Sequence, residues 1–174
     1  MIINVNIKLN TVFIGSRKLD ENNDIRRIAR IFGDDSAVKL FTRRIRHLFF
    51  KYATQELALP DYTYDTIKLD GVLRLVDPST PTKIHSRQFI NRNTNQEQEE
   101  KFESYPLGTQ FKFEIFFDES KISMNQVKQI LTYIGKYDGI SQFGFNWGYG
   151  KFSVLSINKV NKSEGLNEDL IENS

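Results

Sequence analysis

Alternation opens the chain. Ile3, Val5, Ile7, Leu9 and Phe13 share one parity, and Asn4, Asn6, Lys8 and Asn10 share the other. Side chains of a strand point alternately to its two faces, so this predicts a first strand with one buried and one polar face. The pattern stops at Gly15-Ser16. A charged stretch follows to Asp35, in which Asp24 is placed to cap a short helical turn through Ile25, Ile28 and Ile31. From Ser36 the period changes. Val38, Phe41, Ile45, Leu48, Phe49 and Tyr52 form one stripe at helical spacing, with Asp34, Asp35 or Ser36 as cap and an end before Pro60. At about 100° per residue, Arg43, His47 and Lys51 lie opposite that stripe.

A β-branched and apolar run, Thr66 to Val76, predicts the second strand, which Asp77-Pro78-Ser79-Thr80-Pro81 breaks. Lys83 to Asn93 and Glu100 to Tyr105 read as two arms of a hairpin around Thr94 to Glu97. Both arms are poor in large aliphatics, so the hairpin is expected to project from the core. Phe111 to Phe117 is another strand. Ser123 caps a second helix with the stripe Val127, Ile130, Leu131 and Ile134. A loop with Gly135, Gly139, Gly144, Gly148 and Gly150 leads to a last strand, Phe152 to Val160.

The expected class is therefore α+β: a ferredoxin-like (RRM-like) βαββαβ unit with an inserted β-hairpin and a glycine-rich loop before the last strand. In that unit the first and third strands are central and two helices cover one face. The Asn4-Asn6-Lys8-Asn10 row then points to the open face, where a second subunit is another possible cover. One domain is expected over 1–160, with the hairpin insertion at about 82–106 and a disordered acidic tail over 161–174.

Composition narrows the function. With 39% hydrophobic and 13% aromatic residues, the chain can build a sizeable core. It contains no run of about eighteen apolar residues to span a membrane, and no signal peptide is read at its start; a cytoplasmic location is expected. The absence of cysteine excludes disulfides, thiolate metal sites and thiol nucleophiles. The only histidines are His47 and His85, too few for a histidine-built metal centre, and no cofactor is expected. Net charge is only +2, but between Gly15 and Ala53 ten Lys and Arg face five acids. A basic segment in a near-neutral protein suits a polyanion surface; charge alone leaves a solvated helix face equally open.

Three segments resemble the RAMP superfamily of CRISPR-associated RNA-binding proteins. Gly139 to Phe152, with Gly144, Phe145, Trp147, Gly148, Tyr149, Gly150 and Lys151, is similar to that family's glycine-rich loop between second helix and last strand. Glycines permit positive φ and close backbone approach, aromatic rings stack on bases, and a lysine pairs with phosphate. Pro106-Leu107-Gly108-Thr109-Gln110-Phe111 resembles the family's entry to a central strand, and the hairpin before it, with Lys83, Arg87, Arg92 and Thr94, resembles the thumb of backbone subunits. Ser36, Lys39 and Arg43 keep the spacing of the family's Ser-x-x-Lys-Gly-x-x-Arg helix start, but Leu40 stands where glycine is usual. The resemblance implies RNA contacts from Lys39, Arg43, Arg44, Arg46, Arg87, Arg92, Gly144, Trp147, Gly148, Tyr149, Gly150 and Lys151. The implied partners are single-stranded, guide-like RNA and other protein subunits, or further copies along the RNA.

Catalysis is the weaker expectation. Metal-independent cleavage of repeat RNA would need a proton shuttle and a cation, and His47 with Arg43 and Lys51 offers such a set. A solvated helix histidine explains the same residues more simply. Target cleavage with a divalent ion would need an acid before the first helix, where Asp20, Asp24, Asp34 and Asp35 stand with no single residue aligned. The leading expectation is an RNA-binding subunit of a CRISPR-type ribonucleoprotein without intrinsic catalysis. The alternatives are a virus-encoded RAMP-like interaction or mimic protein acting on a host complex and, after it, a repeat-RNA endonuclease.

Overall fold

The structure is a computed structural model that describes residues 1–15, 35–141 and 148–160; the side chains of 35–40, 70–72, 89 and 100 lie outside the described set. The chain is a mixed α/β protein with few helices and antiparallel sheets. Its elements are β1 (Ile2–Leu9), β2 (Phe13–Ile14), α1 (Asp35–Gln55), β3 (Ile67–Leu75), β4 (Lys83–Asn91), β5 (Gln96–Tyr105), β6 (Gln110–Phe117), α2 (Met124–Tyr133) and β7 (Phe152–Lys159), with a π-helical turn over Ile134–Asp138. Four strands form one sheet in the order β3-β6-β1-β7, and three form another in the order β2-β5-β4. Among the described residues no helix is long and apolar enough to cross a membrane. The expected turn after Asp24, and the tail from Asn161, lie outside the described residues.

Alternation sets the four-stranded sheet. Ile3, Val5, Ile7 and Leu9 of β1 and Phe111, Phe113, Ile115 and Phe117 of β6 are buried. Each such side chain contributes about 1.5–3 kcal/mol on leaving water. Phe41, Ile45, Leu48, Phe49 and Tyr52 of α1 and Val127, Ile130 and Leu131 of α2 join the same core. Phe41 meets Phe113 edge-on at 5.4 Å between ring centres, which seats α1 on an inner strand. At the start of α2, the Ser123 side chain accepts from Gln126 N while the Gln126 side chain accepts from Ser123 N. This capping box satisfies two donors that a helix start leaves open.

Two expectations need correction. Phe13 does not extend the first strand. The chain leaves the four-stranded sheet after Leu9, and Phe13 and Ile14 pair with Tyr105 and Ser104 of the hairpin. The hairpin therefore does not simply project. Its base is a third-strand partner, and Phe13 and Tyr105 both contact Phe111 edge-on, at 5.6 and 5.4 Å. A strand of two residues carries too short a pattern to announce a change of sheet. The far end does stand in solvent, where Asn95 takes positive φ at the turn.

Candidate nucleic-acid interface

The glycine loop is held from three sides. Gly150 N donates to Val12 O, Ile140 N to Gly150 O, and Lys151 N to Thr11 Oγ1, at 2.7, 2.9 and 2.9 Å. Thr11 Oγ1 in turn donates to Gly148 O at 2.6 Å. Gly150 adopts φ +75°, and a Cβ there would lie 2.5 Å from Ser141 Oγ and 2.6 Å from Ser141 N. Gly148, at φ +84°, has open space around it. Gly150 is thus required by packing, whereas Gly148 answers only to backbone conformation. Gly144, Phe145 and Trp147 lie outside the described residues.

Tyr149 connects loop and hairpin. Its hydroxyl is hydrogen-bonded to His85 Nε2 at 2.7 Å, and the two rings meet edge-on. It also packs beside Ile14 and Phe102. The sequence marked His85 only as one of two histidines; its inward parity on β4, shared with Arg87, is a finding of the structure, since the apolar Ile84 and Ile90 take the outward parity. Arg87 is half-buried, and Arg92 is exposed at the hairpin turn.

On α1 the basic residues divide. Arg44 reaches across to the end of the second helical segment: its Nη2 donates to Asp138 O at 3.1 Å and its Nε to Gly139 O at 3.3 Å. Burial pushes the Arg44 guanidinium below the usual arginine range, and Asp138 and Tyr52 beside it offset part of that shift. Arg46 donates to Tyr64 O at 2.9 Å and lies 3.7 Å from the Asp65 carboxylate. Lys51 lies 3.7 Å from Asp138, whose carboxylate also accepts from the Tyr52 hydroxyl. Burial, then that hydrogen bond, pushes the Tyr52 hydroxyl well above its usual range. Arg43 and His47 are exposed one turn apart. The Lys39 side chain lies outside the described residues, as do Asp20, Asp24 and Asp34. The set His47, Arg43 and Lys51 thus shares a face, but Lys51 is engaged by Asp138, a residue the sequence did not mark.

Pro106 to Thr109 owes its pattern to a turn. Gly108 takes φ +88° and donates from its N to Leu9 O at 2.8 Å, while Thr109 Oγ1 donates to Pro106 O at 2.8 Å. The turn delivers the chain into β6 in register with β1. The opposite face of the sheet carries Asn4, Asn6 and Lys8, as their parity predicts, beside Gln110, Lys112, Glu114 and Phe116 of β6.

No family model matches the chain, and no curated protein does. Among solved structures it is similar to a chain of the Type III-B Cmr-beta assembly bound to cognate target RNA, with a TM-score of 0.57 and 10% identity over 90% of this chain. The match covers 59% of that chain. It is also similar to a chain of a Type IV-B CRISPR complex, with a TM-score of 0.49 and 11% identity over 100% of this chain and 96% of the other. At such identity, what this chain shares with the Cmr-beta assembly, a CRISPR effector complex, is its fold.

Proposed function

We propose that this chain is an RNA-binding, RAMP-like protein that serves as a guide-RNA-binding subunit of a CRISPR-type ribonucleoprotein. The carrying observation is the union of glycine loop and hairpin through Tyr149 and His85. It joins two elements that both carry cations: Arg87 on β4 and Arg92 at the hairpin turn, and Lys151 in the loop. Single strands are held by basic residues with ring faces for bases, and we read these cations with the half-buried Tyr149 ring as that combination. We read the sheet order β3-β6-β1-β7, with the hairpin between β3 and β6, as the ferredoxin-like unit in a single domain spanning 1–160. The fold likeness to a chain of an assembly that contains RNA supports the same reading.

A second reading has its own observation. One face of the hairpin exposes Ile84 and Ile90 beside Glu97 and Glu99, which suits a protein partner better than a polyanion. It favours an interaction role, with or without RNA.

Electrophoretic shift with single-stranded RNA at low salt tests the proposal. The wild type should bind at micromolar protein. Replacing Arg43, Arg92 and Lys151 together by Ala should weaken binding and reduce the slope of log K against log salt by about two. No binding by the chain alone or in its native complex overturns the proposal.

A further inference from the structure

Four strands line up across the open face of the larger sheet. At one level Asn158, Asn4, Glu114 and Asp70 are in register across the four strands; at the next come Ser156, Asn6, Lys112 and Arg74. Asn4, Arg74, Lys112, Glu114 and Asn158 are exposed and Asn6 is half-buried. Between the two levels is a concavity of about 340 Å³, lined by Asn4, Asn6, Asn158, Arg74, Lys112 and Glu114, with Phe113 at its floor the one apolar residue. That volume lies within the roughly 300–1,000 Å³ typical of small-molecule sites.

The arrangement is unfavourable for the sheet by itself. Lys112 and Arg74 are direct cross-strand partners. Like charges in that relation destabilise a sheet, because their Cβ atoms are only about 4.5–5.5 Å apart. Glu114, two residues from Lys112 on the same face, lies one level away and lines the same concavity. An anion held between Lys112 and Arg74 would relieve the repulsion. Around the pair stand three carboxamides, each with two N–H donors and a carbonyl acceptor. Carboxamides match the paired donor and acceptor edge of a nucleobase, and cations match its phosphate. Phe116, the next residue of β6 on this face, is 43% exposed and offers a ring to a neighbouring base. A protein surface would need an apolar centre, and six of the seven residues that line this concavity are polar or charged, with Phe113 buried beneath them.

We infer that the open sheet face holds one unpaired nucleotide, its phosphate between Arg74 and Lys112 and its base edge against Asn4, Asn6 and Asn158. The site lies across the sheet from α1 and α2, so it is separate from the α1 surface. As a contact to RNA it rests on the RNA-binding reading; as a nucleotide site it stands without it.

The experiment follows the side-chain amide signals of Asn4, Asn6 and Asn158 in the ¹⁵N-labelled full chain. Uridine, cytidine, adenosine and guanosine 5′-monophosphates, inorganic phosphate and an octauridylate are added in turn. Nucleotides should move these signals, phosphate should move them much less, and the octamer should saturate at far lower concentration. Asn6→Ala should weaken octamer binding roughly fivefold or more, and Arg74→Ala with Lys112→Ala should weaken it further. Both variants alter accessible polar side chains, and unchanged melting temperatures confirm that they fold. If the octamer binds and the amide signals stay still, the site is overturned while the RNA-binding reading survives. If no RNA binds but mononucleotides move the signals, that reading fails and the nucleotide site survives. Equal shifts with phosphate and nucleotides reduce it to an anion site and overturn the inference. So does a native complex in which these amides are covered by protein without RNA.

Discussion

The basic helix and the open sheet face divide the cations of this protein in opposite ways. On α1, Arg44 is bonded to carbonyls at the end of the second helical segment, Arg46 holds Tyr64 and Asp65, and Lys51 faces Asp138. Those residues tie the helix to its surroundings. On the sheet, Arg74 and Lys112 sit against each other across adjacent strands. The region with more positive charge in sequence is thus the one whose charge is more fully used in folding. Charge density along a chain marks where cations are, and packing decides whether they remain available to a ligand.

The largest test of this contrast lies at the junction where Arg44 reaches the loop. Gly150→Ala would force a Cβ into Ser141 at a positive φ. We expect a loss of roughly 3 kcal/mol or more in urea unfolding. Gly148→Ala, where the same backbone strain has open space around it, should cost about 1 kcal/mol. Equal losses at the two positions would mean that conformation, not close packing, governs the loop.

Next in size is the helix cation. Arg44→Ala removes two charge-assisted hydrogen bonds from a half-buried site and should lower stability by about 1–2 kcal/mol, measured by denaturant midpoint. It should leave the salt slope of RNA binding almost unchanged. A flattened slope with unchanged stability would reverse the division drawn between the two regions.

The smallest effect has the opposite sign. Lys112→Ala removes one of two like charges from adjacent strands, so the free protein should be unchanged or more stable by up to about 0.5 kcal/mol. Thermal melting without ligand measures it. A clear destabilisation would show that Lys112 is already compensated and would weaken the case for a bound anion.

Much of the framework is legible in the sequence. The parity of Ile3 to Leu9, the helical stripe from Phe41 to Tyr52 and the Ser123 cap are local patterns, and local patterns follow from strand and helix periodicity alone. The same parity marked Asn4 and Asn6 as outward-facing. Pairing partners were not legible. Nothing near Phe13 says that it joins Tyr105, and nothing near Tyr149 says that it meets His85, because those contacts span 92 and 64 positions of chain.

The sequence by itself determined the order of the elements and which side of each one is apolar, since both depend on neighbours a few residues away. Only the tertiary structure decided which charges are spent and which are left. Asp138 takes Lys51 and Tyr52, and its carbonyl takes Arg44, because the end of α2 folds against α1. Arg74 meets Lys112 because β3 and β6 pair in one register. Electrostatic partners are fixed by distance in space, and separation along the chain carries almost no information about it.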